Sequence, residues 1–182
     1  MADFKKRTIE ELGRLSVEAY RQQPKMPVYL VLDNVRSALN VGSAFRTADA
    51  FEVREIVLCG ITATPPHREI LKTALGASES VAWSYAEHTV DAVAALRRAG
   101  CRIWAVEQTE YSTPLQDVQM EAETPIALIF GNEVGGVSDE AIQLADGVLE
   151  VPQFGAKHSL NISVCVGVVL WELFRKWKFQ KA

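Results

Sequence analysis

Apolar and polar positions along the chain fall into alternating short runs. Val28 to Leu32 is a continuous apolar run, as expected of a strand buried on both faces. Asn40 to Phe51 then reads as a helix and Glu55 to Leu58 as a strand. Pro66 to Leu75 reads as a helix, punctuated by Pro65 and Pro66 at its start and Gly76 at its end. Val81 to Ser84 is a short strand, Thr89 to Ala99 a helix closed by Gly100, and Cys101 to Glu107 a strand. Ile126 to Phe130 and Val148 to Val151 are further strands, with a helix capped by Ser138 and running to Ala145 between them. Strands alternating with helices predict an α/β fold, a parallel sheet covered by helices on both faces.

The two ends of the pattern differ from its middle. Thr8-Ile9-Glu10-Glu11 is a capping box, and Ile9, Leu12, Leu15 and Ala19 recur at helical spacing, so a helix is expected from Thr8 to about Gln22, stopped by Pro24 and Pro27. At the other end, Asn161 to Trp177 reads as a long helix with the stripe Ile162, Val166, Val169, Leu173 and Trp177. Val164, Val168 and Trp171 make most of its first half apolar all round. Such a helix is a central core helix or one that also meets a second subunit. The expected organisation is residues 1–27 as an N-terminal helical extension and 28–182 as one α/β domain with a C-terminal helix.

Composition narrows this little. The 182 residues are 48% hydrophobic and 23% charged, which suits one domain with a sizeable core. No apolar run reaches membrane-spanning length, and the first residues lack the apolar stretch of a secretory signal, so a cytoplasmic location is expected. Cys59, Cys101 and Cys165 are widely spaced and set among apolar residues, reading as buried thiols with no metal site. The net charge of −4 leaves nucleic acid open as a partner only through a local basic stripe. The candidates are Lys5 to Arg7 with Arg14, Arg21 and Lys25; Arg97, Arg98 and Arg102; and Arg175, Lys176, Lys178 and Lys181.

Several chemistries find no support. Gly131-Asn132-Glu133-Val134-Gly135-Gly136 misplaces the glycines of a dinucleotide fingerprint. The phosphate loop, the HExxH pattern, paired-cysteine spacing and a nucleophile elbow are absent, and His67, His88 and His158 are scattered. What stands out is three loops, each after a predicted strand, where open α/β sheets place ligands. They are Asp33 to Phe51, with Asn40 and Arg46 in an N-x5-R pattern; Phe130 to Ser138, with GNE-x2-G; and Val151 to Val164, with SLN-x-S.

On these three motifs, in this order, residues 28 to 177 resemble the SpoU/TrmH family of RNA 2′-O-ribose methyltransferases in the SPOUT superfamily. The resemblance implies a C-terminal trefoil knot, a homodimer with the active site completed across the interface, S-adenosyl-L-methionine as cofactor and RNA as substrate. It implies that Gly131, Val151 and Leu160, with Thr109, hold the cofactor largely through backbone groups. It implies that Arg46 stands at the reacting ribose while Asn40, Glu133, Ser159 and Asn161 shape the site. A guanidinium stays protonated, so Arg46 is expected to grip a phosphate and stabilise the developing oxyanion, leaving the proton acceptor open. Gln153, where many members carry methionine, and Phe154 beside it depart from the pattern next to the cofactor pocket. RNA capture is expected to fall to the N-terminal helix and the Arg175, Lys176, Lys178 stripe. The expected substrate is tRNA, with a D-loop guanosine as one target. Ribosomal RNA is the alternative substrate, and a catalytically silent RNA-binding protein or a small-molecule enzyme using the same crevice are the alternative classes.

Overall fold

The computed structural model describes residues 4–8, 10–121 and 124–179. The chain runs α1 (Val17–Gln22), β1 (Met26–Asp33), α2 (Ala38–Ala50), β2 (Val53–Cys59), α3 (Arg68–Ala74), α4 (Ala77–Ser80) and β3 (Trp83–Ala86). It continues through α5 (Thr89–Arg98), β4 (Arg102–Val106), β5 (Thr113–Pro114), β6 (Ile126–Phe130), α6 (Asp139–Gln143), β7 (Gly147–Glu150) and α7 (Ile162–Phe179). From Val28 to Trp177 the expected elements are present, with ends shifted by a residue or two. The short α4 and β5 carry no pattern long enough to announce them.

The seven strands of the described residues all pair in parallel, in the order β3-β2-β1-β6-β4-β7-β5. Parallel pairing forces a crossover between successive strands, and the helices supplying it cover both faces. Alternation along β1 shows the two cores directly. Met26, Val28, Leu30 and Leu32 point to one, shared with Phe45 of α2, Ile70 of α3 and Val166, Val169, Leu170 and Leu173 of α7. Val31 points to the other, with Val57, Ile103, Ala127 and Ile129, roofed by Ala92, Val93 and Leu96 of α5 and Ala141 of α6. From β1 the chain first builds outward through β2 and β3, then returns to build the other side. That reversal opens the crevice at the carboxyl ends of the strands where such sheets take their ligands.

The N-terminal segment departs from the continuous helix expected between Thr8 and Gln22. The capping box forms, with the Thr8 amide donating to the Glu11 carboxylate (2.7 Å) and the Glu11 amide to the Thr8 hydroxyl (3.3 Å). It caps only a 3-10 turn, Glu10–Leu12. Gly13 then takes a φ of 58°, a left-handed backbone that ends the turn. Ser16 starts α1 anew by accepting the Ala19 amide at 3.2 Å. Leu12 and Leu15 of the expected stripe stay exposed, and Ile9 lies outside the described residues. The docking residue is Tyr20, buried in the first core with its hydroxyl donating to the Asp49 carbonyl at 3.0 Å.

Helix α7 buries one side in the first core and leaves another exposed. Val166, Val169, Leu170 and Leu173 are buried, whereas Val164, Val168 and Trp171, one turn apart on another side, are exposed. Its basic end differs from the free stripe expected. Lys176 is buried and donates to the carbonyls of Leu115 (3.3 Å), Gln116 (2.7 Å) and Val118 (2.6 Å). Arg175 pairs with Glu172 and Lys178 with Glu52, while Lys181 lies outside the described residues.

Candidate active site

A cleft of about 540 Å³ opens at the carboxyl ends of β4, β6 and β7. Its walls are Val106 to Gln108 at the end of β4, Phe130 to Gly136 at the end of β6, Glu150, Val151 and Gln153 at the end of β7, and His158 to Ile162 with Cys165 leading into and along α7. The second and third sequence motifs thus line one cavity.

The second motif is a tight hairpin. Asn132 and Gly136 exchange both main-chain hydrogen bonds at 3.0 Å, and the Asn132 side-chain oxygen accepts the amides of Val134 (2.9 Å) and Gly135 (2.8 Å). A Cβ on Gly131 would overlap the Gly136 carbonyl, so only glycine lets the two arms of this hairpin meet. The hairpin tip carries Glu133 to the first motif. Its carboxylate accepts the amides of Arg36 (3.1 Å) and Ser37 (3.3 Å) and the Asn40 side-chain amide (2.8 Å). Burial works to raise the Glu133 carboxyl, but the hydrogen bonds from Asn40, its own backbone, Arg36 and Ser37 outweigh it and hold it below the usual carboxylate value. A carboxylate this well satisfied is a weak base and a firm anchor.

Asn40 joins the third loop as well, because its side-chain oxygen accepts the Asn161 amide at 3.3 Å. Asn161 serves twice. Its oxygen accepts the amide (2.9 Å) and hydroxyl (2.7 Å) of Ser163, capping α7, while its nitrogen reaches Asn40. Glu133, Asn40 and Asn161 therefore form one chain of hydrogen bonds through all three motifs.

Gly131, Val151, Leu160, Ser159, Asn161 and Glu133 all line the cleft. Thr109 does not; it lies just beyond Gln108, its carbonyl accepting the Ser112 amide and hydroxyl. Arg46 is also outside the cleft of its own chain. It is exposed on α2 and, among the described residues, pairs with no carboxylate, Asp49 included. Gln153 lies on the cleft wall, and Phe154 beside it is 98% exposed.

Three residues at the site were given no role by the motifs. Asp33, 1% exposed, ends β1 and accepts from the Thr89 hydroxyl (2.5 Å), the Asn34 amide (2.8 Å) and the Ser138 backbone (2.8 Å), fastening the strand to the starts of α5 and α6. Glu107 follows β4 and accepts the amides of Gln108 (2.8 Å) and Val137 (3.1 Å), bracing the glycine hairpin from behind. An acid at the end of an otherwise apolar strand was the available signal for both. Cys165 lines the cleft, but burial, with Glu107 adding to it, pushes its thiol up to about 11, so it stays neutral and unreactive. Among the described residues no cluster of metal-binding side chains occurs, and no helix is long and apolar enough to cross a membrane.

Residues 27–171 match the model of the SpoU rRNA Methylase family. The tRNA (guanosine(18)-2′-O)-methyltransferase of Thermus thermophilus is 32% identical over 174 residues, covering 96% of this chain and 84% of that enzyme. The 23S rRNA (guanosine-2′-O-)-methyltransferase of Vibrio parahaemolyticus is 29% identical, covering 92% of this chain and 66% of that one. The AdoMet-bound rRNA methyltransferase from Sinorhizobium meliloti superposes with a TM-score of 0.76 at 29% identity, covering 89% of this chain and 61% of that one. The chain belongs to the SpoU rRNA Methylase family.

Proposed function

We propose that this chain transfers a methyl group from S-adenosyl-L-methionine to a ribose 2′-hydroxyl of a structured RNA. The observation that carries the reading is the Glu133–Asn40–Asn161 chain of hydrogen bonds, which gathers three distant motifs around one cleft. The cleft fits the cofactor: Gly131 leaves its backbone bare, and Val151 and Leu160 bring further main-chain groups to the walls, a surface suited to an adenine edge. When bound, the sulfonium supplies an electrophilic methyl. Everything else is positioning, since an in-line attack by the ribose oxygen depends on alignment.

Within that site Asn40, Ser159 and Asn161 orient the ribose, and Glu133 holds Asn40 in place. Arg46 grips an RNA phosphate and stabilises the negative charge that develops on the attacking ribose oxygen. Its place outside its own cleft supports a homodimer in which Arg46 of one chain serves the cleft of the other. The exposed stripe Val164, Val168 and Trp171 is apolar enough for that contact. The trefoil knot belongs to the same reading, as does a cytoplasmic location.

Transfer RNA is the favoured substrate, with a D-loop guanosine as its target. The Thermus relative, which this chain matches over most of its length, is named for a tRNA guanosine. Ribosomal RNA is the second reading, favoured by the Vibrio relative. The test is incubation with radiolabelled S-adenosylmethionine and total RNA, followed by size fractionation. Label in the tRNA fraction supports the first reading and label in ribosomal RNA the second; cofactor binding without transfer means the RNA supplied is the wrong one, and no cofactor binding removes both readings and leaves a silent RNA-binding protein.

A further inference from the structure

Cations on this protein differ in whether an acid neutralises them. Arg97 pairs with Asp146 (2.8 Å), Arg102 with Glu121 (3.1 Å), Arg175 and Lys176 with Glu172 (2.8 and 3.3 Å), and Lys178 with Glu52 (3.0 Å). Several exposed cations, Arg14, Arg54, Arg98 and Lys157 among them, have no carboxylate at ion-pair distance among the described residues; four more, Arg36, Arg46, Arg68 and Lys72, gather around α2 and α3. Of these four, the first precedes α2, the second lies on it, and the other two stand one turn apart on α3.

Arg68 and Lys72 line, with Leu39 and Glu69, a depression of about 310 Å³. Leu39 adjoins Asn40, the residue that links the motifs of the cleft. The Thr73 hydroxyl donates to the Leu39 carbonyl at 3.0 Å, so α3 is fastened to α2 at the turn that carries Asn40. Two cations against one carboxylate leave the depression net positive, in a chain whose overall charge is −4. Leu39, 39% exposed, gives it an apolar floor. An apolar floor flanked by two cations about 6 Å apart along a helix suits a sugar with its phosphates, because the phosphate backbone supplies most of the affinity for nucleic acid.

We propose that the α2–α3 face, with Arg68 and Lys72 at its centre, carries the phosphate backbone of the RNA flanking the target ribose. The proposal rests on the RNA methyltransferase reading and moves RNA capture from the end of α7 to a surface beside Asn40. Both side chains are exposed and free of hydrogen bonds to the rest of the fold among the described residues, so their replacement leaves the fold intact.

The experiment is fluorescence anisotropy of a labelled bulk tRNA probe against salt concentration, using the full chain and its Arg68→Gln/Lys72→Gln variant. Expected are a Kd raised about tenfold and a log–log salt slope shallower by about 1.5, from roughly 0.7–0.9 per lost phosphate contact. Binding of S-adenosylmethionine stays unchanged, and the Arg68→Lys/Lys72→Arg exchange restores RNA affinity. A variant with the parent Kd and slope overturns the proposal, as does a parent chain that does not bind the tRNA. Methyl transfer to total RNA is read separately, so loss of this surface leaves the enzymatic reading standing.

Discussion

The end of α7 and the α2–α3 face are both rich in lysine and arginine, yet they do opposite things with their charge. On α7, Lys176 is drawn inward onto three backbone carbonyls, Arg175 folds back on Glu172, and Lys178 reaches Glu52 just after α2. These cations hold the molecule together. On the α2–α3 face, Arg36, Arg46, Arg68 and Lys72 stand in solvent with no acid at ion-pair distance among the described residues, next to the turn that carries Asn40. A run of basic residues in a sequence is therefore a poor guide to where a polyanion binds. What decides it is whether the fold supplies the counter-charge.

The contrast breaks most sharply at Lys176 and Arg46. Lys176→Glu sets a carboxylate against the carbonyls of Leu115, Gln116 and Val118 and beside Glu172, and should cost about 3–5 kcal/mol of stability, read by denaturant unfolding. A change within about 0.5 kcal/mol would make the clamp ornamental. Arg46→Ala should leave the melting temperature and cofactor affinity near those of the parent while lowering methyl transfer about 100- to 1,000-fold. Unchanged turnover removes Arg46 from the mechanism. Val168→Glu, on the exposed apolar stripe, should shift sedimentation from dimer to monomer and lower transfer with it; a monomeric parent would end the shared site.

Acid provides a graded test of the joint among the motifs. Glu133 has its carboxyl held below the ordinary value, so the stability it lends is complete above the unfolded-state pKa and is lost as pH falls through the folded-state value. Cofactor affinity measured downward from neutrality should hold until that acidic range and then fall. In Glu133→Gln the acid-dependent drop should shrink. The smallest effect is expected at Lys178→Gln, whose exposed pair with Glu52 is worth at most about 1 kcal/mol and whose loss should leave the RNA salt slope as it was.

The layered sheet was legible because parallel strands buried on both faces are written as unbroken apolar runs, Val28 to Leu32 and Ile126 to Phe130 above all. The three motifs were legible because GNE-x2-G and SLN-x-S place residues that only a tight loop requires. The failures share one cause, which is that sequence spacing does not show what lies across the fold. Leu12 and Leu15 keep helical spacing with Ala19, yet Gly13 intervenes and the core admits Tyr20 instead. Lys176 looks like its neighbours in a basic run, but the carbonyls that hold it belong to residues some sixty positions earlier. Asp33 and Glu107 act through backbone amides of distant loops, a partnership no local pattern records.

The most direct test of the central claim is where the methyl group goes. Bulk RNA treated with the protein and labelled S-adenosylmethionine is digested to nucleosides and separated by chromatography. The expected result is label in a 2′-O-methylnucleoside, abolished in Asn40→Ala, whose side chain joins Glu133 to Asn161. Label on a base, or full activity in the Asn40 variant, would contradict a ribose methyltransferase site assembled from these three loops.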